Sequence, residues 1–211
     1  MAVSKEQIVK WLENLAVVLA ENKDYLTQLD SPIGDADHGI NMSRGFNKVV
    51  EKLPTVADKD IGSILKTTGM ALISSVGGAS GPLYGTFFMR SGTALNAKEE
   101  LSSDDLYQMF QAGVDGILQR GRAELGDKTM YDAWQPALDA FKAASQTNTD
   151  PAVPLAAAVK AAEQGMKDTI PLRARKGRAS YLGERSIGHQ DPGATSSYLL
   201  LKTLLDTVNA G

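Results

Sequence analysis

The chain has 211 residues, 43% of them hydrophobic, no cysteine and a formal net charge of −3. This length is enough for one well-buried domain, and we expect a single domain over residues 1–211. The acidic balance argues against nucleic acid and anionic membranes as main partners, and the missing cysteines exclude disulfides, thiolate metal sites and a cysteine nucleophile. The N-terminus, Met-Ala-Val-Ser-Lys-Glu, contains no apolar signal core, so we predict a cytoplasmic protein.

Apolar residues at helical spacing, together with capping residues, predict eight helices. The first covers about residues 4–22, with Ser4 as N-cap and Gln7 three residues later, and the second begins after Asp37 and ends at Pro54. The later helices are expected to begin at Asp60, at Ser80, at Ser102 or Ser103, at Asp127, at Pro151 and at Asp191. We expect Pro136 to kink the sixth helix. No alternating strand pattern is evident, so the sequence predicts an all-α bundle with mostly short antiparallel connections.

Three carboxylates lie close together between the first two predicted helices, in Asp30-Ser-Pro-Ile-Gly-Asp35-Ala-Asp37. Two unit charges about 5 Å apart repel by roughly 3 kcal/mol at an effective dielectric constant of 20, so converging aspartates require a cation. Oxygen ligands without cysteine favour Mg²⁺ or Ca²⁺ over zinc. An EF-hand is excluded because the twelfth position counted from Asp35 is Phe46, where glutamate is required. We therefore predict a Mg²⁺ site; the alternative is that these aspartates are turn formers and helix caps.

A basic connection of some twenty residues, Ile170 to Gln190, joins the seventh and eighth predicted helices. It contains Arg173, Arg175, Lys176 and Arg178. Loops of this length inside a compact domain are usually functional or disordered. The alternative is a solvated basic flap.

Three predicted helix starts, near Asp37, Ser80 and Asp191, carry small side chains whose neighbouring N–H groups can receive an anion. They belong to even-numbered helices, and alternate helices of an up-and-down bundle begin at the same end, so we expect these starts to share one rim with the turn 121–129. The glycine-rich segment 77–85 is neither a P-loop nor a dinucleotide fingerprint. Carboxylates, helix N-termini and arginines at one rim favour Mg²⁺ with a di- or triphosphate, and phosphoryl transfer assisted by Arg178 or a neighbour.

Three motifs closely resemble the L subunit of dihydroxyacetone kinases: Gly-Asp-Ala-Asp-His-Gly-Ile-Asn-Met at 34–42, Ser-Ser-Val-Gly-Gly-Ala-Ser-Gly-Pro at 74–82, and the segment 175–195. The resemblance covers essentially the whole chain. It implies a barrel of eight antiparallel helices that binds ADP or ATP with two Mg²⁺ ions at one rim. It also implies that Asp30, Asp35 and Asp37 are the metal ligands. The implied nucleotide contacts are His38, Gly39, Ile40, Asn41, Ala79, Ser80, Gly121, Met130, Arg178, Asp191, Pro192 and Gly193. Arg178 is also the catalytic residue that we predict from the phosphoryl-transfer argument above.

The family has a fused form and a form with separate subunits. Because this chain has no K domain, it resembles the bacterial phosphotransferase-dependent form. In that form, bound ADP receives phosphate from a phosphohistidine on an M subunit and passes it to dihydroxyacetone on a K subunit. The alternatives are an ATP-dependent kinase subunit with exchanging nucleotide and a non-catalytic ADP-state sensor that docks on a transcription regulator. A homodimer is the expected assembly.

Overall fold

The structure is a computed structural model that describes residues 2–210. Its α-helices are α1 (Lys5–Glu21), α2 (Lys23–Asp30), α3 (His38–Lys52), α4 (Ile61–Ser75), α5 (Ser80–Ala94), α6 (Ser103–Gly121), α7 (Tyr131–Ser145), α8 (Ala152–Asp168) and α9 (Pro192–Ala210). Two 3₁₀ segments span Leu53–Thr55 and Arg178–Ser186. The two-residue strands β1 (Val3–Ser4) and β2 (Glu100–Leu101) pair antiparallel, with Val3 opposite Leu101.

Eight of these helices form a closed ring in chain order. From α3 onward each packs against the next, α1 packs against α3, and α9 packs against α1. The remaining helix, α2, lies beside α3 and α9 and is not a member of the ring. The predicted all-α barrel of eight antiparallel helices is therefore confirmed, with one short helix added. Because the ring alternates in direction, the starts of α3, α5, α7 and α9 lie at one end.

Local capping explains where three of these helices, α1, α4 and α6, begin. The Ser4 side chain accepts from the backbone N–H of Gln7 and forms a full capping box, as predicted. Asp60 caps α4 by accepting from Ser63, and Ser102 caps α6 in a second box with Asp105. These caps stabilise helix ends by about 1 kcal/mol each and depend only on nearby residues.

Three helix predictions were wrong in detail. The segment Lys23–Asp30 is helical, so Asp30 ends a helix and does not belong to the turn. The sixth predicted helix begins at Tyr131, and the Asp127 carboxylate instead accepts from the N–H of Glu124 within the preceding turn. Asp37 occupies the N-cap position of α3, but its side chain makes no capping hydrogen bond. The helix α7 continues through Pro136, and the kink expected there stays a prediction.

Aromatic side chains connect opposite walls of the ring. Trp11 lies 5.9 Å from Phe88, ring centroid to centroid, Phe88 lies 5.3 Å from Phe87, and Phe87 lies 4.7 Å from Trp134. All four side chains are fully buried. Edge-to-face and tilted contacts of this kind contribute beyond simple area burial. The interior of the ring is therefore a packed core, and the ligand-sized cleft lies at its end.

Glycine permits a close contact between α4 and α5. A Cβ added at Gly69 would lie 2.6 Å from the carbonyl oxygen of Gly85 and 2.8 Å from the backbone nitrogen of Met89. Neither backbone atom can move without separating the two helices. The position therefore sets the distance between α4 and α5, and through it the start of α5.

We expect Gly69→Ala to lower the free energy of unfolding by about 1–2 kcal/mol, because overpacking outweighs the better helix propensity of alanine. Denaturant unfolding followed by circular dichroism measures the change. The neighbouring Met70→Ala is the control, because Met70 is 54% exposed and its truncation is expected to be nearly neutral. Equal stability of the two variants would show that the contact at Gly69 is not limiting.

No helix within residues 2–210 combines the length and the apolar character that a membrane crossing requires.

Candidate functional site

A cleft of about 280 Å³ lies where the starts of α3, α5, α7 and α9 meet. Its wall includes the segments 77–80, 128–130, 176–179 and 191–193, together with the aspartates before α3. The rim predicted from the alternation of helix directions therefore exists, and the turn before α7 belongs to it.

The three aspartates converge in the cleft. One carboxylate oxygen from each of Asp30, Asp35 and Asp37 lies within 4.8 Å of the other two. Asp30 is buried, Asp37 is half-buried and Asp35 is exposed. A hard cation prefers this all-oxygen set, and Mg²⁺ needs only one or two carboxylates because phosphate oxygens and water complete its shell. The residues present therefore fit a Mg²⁺ site.

Asp30 fixes the geometry of this cluster. Its Oδ2 accepts from the backbone N–H groups of Asp37, at 2.9 Å, and His38, at 3.1 Å. Asp30 therefore performs the helix-capping role at α3 that we had predicted for Asp37. Gly34 packs directly against this carboxylate, because a Cβ at Gly34 would lie 1.9 Å from Asp30 Oδ1. Only glycine leaves the carboxylate room at this position.

The other helix starts at the cleft differ in how their N–H groups are satisfied. At α9, Asp191 Oδ2 accepts from the N–H of Ala194 at 2.7 Å. At α5, no side chain within residues 2–210 caps the N-terminus, and Ala79 occupies the N-cap position. The first N–H groups of α5 therefore point to the cleft without an internal acceptor, and this helix start is the best placed to receive an anion.

A chain of side-chain hydrogen bonds links three of the helix starts below the cleft. The Nδ1 of His38 lies 3.1 Å from Ser80 Oγ, and its Nε2 lies 2.9 Å from Ser196 Oγ. Ser196 Oγ lies 2.7 Å from the hydroxyl of Tyr84, which is itself 3.0 Å from Ser197 Oγ. Burial lowers the pKa of His38 to about 4, against the opposing effect of Asp30 and Asp37. The imidazole is therefore neutral near pH 7.

Apolar side chains form another part of the cleft wall. Ile33, Leu83, Ile117, Met130 and Ala179 line it. Met130 is 5% exposed and stands at the N-cap position of α7. A cleft with one apolar wall and one charged edge suits a ligand that has a flat apolar part and an anionic part.

Part of the basic connection, residues 176–179, lines the cleft. Ile33 packs with Ala174, Ala179 and Leu182 in a small cluster separate from the main core. Arg178 Nη2 lies 2.8 Å from Asp35 Oδ2, and Arg173 Nη1 lies 3.2 Å from Glu184 Oε1. Two of the basic side chains of this connection, Arg173 and Arg178, are thus held near carboxylates.

Most of the residues singled out from the sequence line this cleft. They are Asp30, Asp35, Asp37, His38, Ala79, Ser80, Gly121, Met130, Arg178, Asp191, Pro192 and Gly193. Gly39, Ile40 and Asn41 do not. A Cβ at Gly39 would strike the carbonyl of Lys23, Ile40 is 47% exposed, and Asn41 Oδ1 accepts from Arg44 at 2.6 Å.

Several lining residues were missed by the sequence analysis. Leu83 and Ile117 belong to helical apolar stripes, which gave no reason to place them at a site. Gly34 could have been identified from the sequence, because a glycine between two aspartates allows the backbone to approach a carboxylate closely. Lys128 lies in a polar turn, where lysine ordinarily indicates exposure, yet it is 1% exposed.

Comparison with known proteins decides the family. A model of the DAK2 domain matches residues 32–206. The chain belongs to the DAK2 domain family. The matched segment of this DAK2 chain contains the aspartate pair Asp35 and Asp37, the start of α5, the basic connection and the start of α9.

Relatives of this DAK2 chain are similar over nearly the full length. It is 57% identical over 204 residues to the "PEP-dependent dihydroxyacetone kinase, ADP-binding subunit DhaL" of Escherichia coli K12, covering 97% of both chains. It is 48% identical over 200 residues to the "PEP-dependent dihydroxyacetone kinase 2, ADP-binding subunit DhaL" of Listeria innocua, covering 93% of this chain and 92% of the relative. The resemblance to the L subunits of dihydroxyacetone kinases is confirmed.

A solved structure shares the fold. The dihydroxyacetone kinase of C. freundii in complex with AMP-PNP and Mg²⁺ superposes with a TM-score of 0.71 at 26% sequence identity. The match covers 98% of this DAK2 chain and 34% of that kinase, so the chain spans about a third of that protein's length.

The ionisation of Asp191 gives a testable pH dependence. Burial raises its pKa to about 7, although the N–H of Ala194 and the charge of Lys128 act in the opposite direction. In metal-free protein the folded state therefore keeps a proton between pH 4 and 7 that the unfolded chain releases. As the pH rises from 4 to 7, the free energy of unfolding of the wild-type protein should therefore fall relative to that of Asp191→Asn. Above pH 7 the difference between the two proteins should be constant.

A shift of this size corresponds to about 4 kcal/mol for a fully buried carboxyl, and we expect less here because Asp191 keeps part of its surface in water. Denaturant titrations in chelator at pH 4, 5.5, 7 and 8 measure it. The comparison with Asp191→Asn cancels the titration of other groups, and the asparagine still accepts from Ala194. A difference that is constant across the series would show that Asp191 ionises at its ordinary pKa.

Proposed function

We propose that this chain is the nucleotide-binding L subunit of a phosphoenolpyruvate-dependent dihydroxyacetone kinase. In this proposal, Mg²⁺-bound ADP/ATP relays a phosphoryl group from a phosphohistidine on an M subunit to dihydroxyacetone on a K subunit. The observation that carries the proposal is the convergence of three carboxylates, an uncapped helix start and Arg178 on one cleft. These groups could bind a metal ion, bind an anion and stabilise a phosphoryl group in transfer, all in one cleft.

The aspartates would hold the metal. Mg²⁺, of which we expect two ions, would neutralise phosphate charge and fix the phosphate oxygens when bound. Asp30 is already oriented by two backbone N–H groups, so its carboxylate needs little rearrangement to act as a ligand. Asp35 and Asp37 follow Gly34 in the same turn and face the same point.

The remaining walls suit the nucleotide. The open N-terminus of α5 would donate N–H groups to phosphate oxygens at Ala79 and Ser80. The apolar wall at Leu83, Ile117 and Met130 would face the base. Gly121 and Gly193 keep the two edges of the wall free of side chains, and a Cβ at Gly193 would lie 3.1 Å from Asp191 Oδ2.

Arg178 is the proposed catalytic residue. Its guanidinium is paired with Asp35, and the two side chains are 64% and 36% exposed. An ion pair this exposed is worth at most about 1 kcal/mol, so it can be exchanged at little cost when a metal occupies Asp35. The released guanidinium would then stabilise the charge of the phosphoryl group in transit.

The separate-subunit form is favoured over a self-contained ATP-dependent kinase because the chain aligns end to end with two separate ADP-binding subunits. The K and M subunits are therefore the proposed partners. The homodimer, the transcription regulator and the cytoplasmic location stay predictions.

Gly34→Ala provides a test that removes no ligand. The new methyl group displaces the Asp30 carboxylate, and we expect the affinity for Mg·ADP to fall about 10–100-fold while the helical circular dichroism spectrum is unchanged. Native mass spectrometry after gel filtration should find ADP and Mg²⁺ on the wild-type protein and neither on the variant.

Ser31→Ala is the matched control, because Ser31 is exposed in the same turn. Full ADP retention by Gly34→Ala in the presence of chelator would overturn the metal assignment. Slow release of ADP from the wild-type protein supports the relay, whereas release on the time scale of turnover supports the ATP-dependent kinase with exchanging nucleotide.

Arg178→Ala should separate chemistry from binding. A guanidinium that acts on the phosphoryl group in transit is worth on the order of a thousandfold in rate. We expect the rate of transfer to dihydroxyacetone, assayed with the K and M subunits, to fall by about this factor, while the dissociation constant for Mg·ADP changes less than about tenfold.

Arg173→Ala controls for loss of positive charge in the same loop, since Arg173 pairs with Glu184. We expect it to retain nearly full activity. Equal losses of binding and rate in Arg178→Ala would make Arg178 a ground-state phosphate ligand and not a catalytic residue.

A further inference from the structure

Lys128 is a fully buried lysine at the edge of the cleft. It is 1% exposed, lies in the turn between α6 and α7, and adopts the left-handed backbone conformation with φ of 63°. Lysine is among the residues least often buried, and this backbone region is uncommon outside glycine, asparagine and aspartate. Both features carry a free-energy cost that only specific contacts can offset.

Those contacts are all backbone carbonyls. Nζ of Lys128 donates to the carbonyl of Thr169 at 2.5 Å, of Leu172 at 3.1 Å and of Ile170 at 3.3 Å, and also to the carbonyl of His189. An ammonium has three N–H bonds, and four acceptors surround it. No donor is left for a phosphate or substrate, so Lys128 does not act as a ligand-binding residue.

The four carbonyls lie at the two ends of one loop. Thr169, Ile170 and Leu172 follow the end of α8, whereas His189 stands two residues before Asp191. The N–H of Gly188 also donates to the carbonyl of Ile170 at 2.8 Å. We call the two segments 169–172 and 188–189 the loop neck. The ammonium joins these two segments. Arg178 lies in the loop that this neck closes.

The turn that carries Lys128 is itself fixed. Asp132 accepts from the N–H of Gly126 at 2.6 Å and from that of Thr129 at 2.7 Å. The N–H of Arg175 donates to the carbonyl of Asp127 at 3.0 Å. The loop beyond the neck is therefore also held against this turn, next to Met130.

No carboxylate within residues 2–210 forms an ion pair with Lys128. Burial lowers its pKa, and Asp191 and Asp132 are the nearby acids that oppose this effect. Carbonyls at a helix end are ordinarily satisfied by water or by local turns, so the fold alone has no need for a cation here. The ammonium instead holds the two ends of the loop together.

We propose that Lys128 is a positioning residue for phosphoryl transfer, because its ammonium closes the neck of the loop 170–190 and thereby fixes Arg178 over the aspartates. This inference rests on the proposed function for its kinetic consequence. The closure of the loop by Lys128 is a property of the ligand-free protein and can be tested separately.

The first experiment is hydrogen exchange on ligand-free Lys128→Met, which keeps an unbranched side chain as far as Cε and removes the charged amino group. We expect exchange in residues 170–191 to become at least about tenfold faster, with α6 unchanged. In the presence of K and M subunits, the transfer rate should fall about a hundredfold, as for a misplaced catalytic group, while the dissociation constant for Mg·ADP changes less than about tenfold.

The second experiment uses the absence of cysteine from the chain. Lys128→Cys can be alkylated in the unfolded state with 2-bromoethylamine, which rebuilds the ammonium at its original distance, or with 1-iodopropane, which gives a neutral side chain of the same shape. After refolding, only the aminoethyl derivative should recover the loop protection and the transfer rate. This pair distinguishes the ammonium from simple filling of space.

Three outcomes would overturn the proposal. If Lys128→Met has the same loop protection and transfer rate as the wild-type protein, Lys128 only occupies space. Equal recovery by the two alkylated derivatives would make the charge irrelevant. Loss of Mg·ADP affinity as large as the loss of rate, with unchanged loop protection, would make Lys128 a direct ligand. If the wild-type protein binds no Mg·ADP, the proposed function fails, and the exchange measurements alone decide whether Lys128 closes the loop.

Discussion

The hydrogen bonds from the Asp37 and His38 N–H groups to the carboxylate of Asp30 determine the arrangement of the cleft. They join the end of α2 to the start of α3 and reverse the chain between them. They also stabilise the buried Asp30 carboxylate, because one of its oxygens accepts two hydrogen bonds. A buried carboxylate without such partners would be strongly destabilising. The carboxylate cluster is therefore largely organised by the backbone before any cation arrives.

The starts of the helices divide the cleft into regions of different charge. Asp30 occupies the N-terminal N–H groups of α3, and Asp191 occupies one at α9. Among the helix starts at the cleft, α7 has the hydroxyl of Thr129 as acceptor for the N–H of Tyr131, whereas α5 presents its first turn without a side-chain acceptor among residues 2–210. An anion in the cleft is thus directed to the start of α5, and a cation is directed to the three aspartates.

Local sequence signals account for most of the fold, and long-range contacts account for what was missed. The caps at Ser4, Asp60 and Ser102 involve residues three positions apart and could be predicted. The helix α2 could not, because Leu26 is its only buried apolar side chain and its place depends on the backbone contact with Gly39. The surroundings of Lys128 likewise depend on carbonyls more than forty positions away in the chain.

The hydrogen-bond chain below the cleft also has a direction. A neutral imidazole carries one proton, so His38 can donate either to Ser80 or to Ser196, but not to both. When it donates to Ser80, the serine hydroxyl is free to donate into the cleft, and the protons of Ser196 and Tyr84 turn toward His38. When it donates to Ser196, the order reverses and Ser80 faces the cleft as an acceptor. A phosphate oxygen beside Ser80 therefore selects the Nδ1–H tautomer, and the choice extends to the start of α9 without any heavy atom moving.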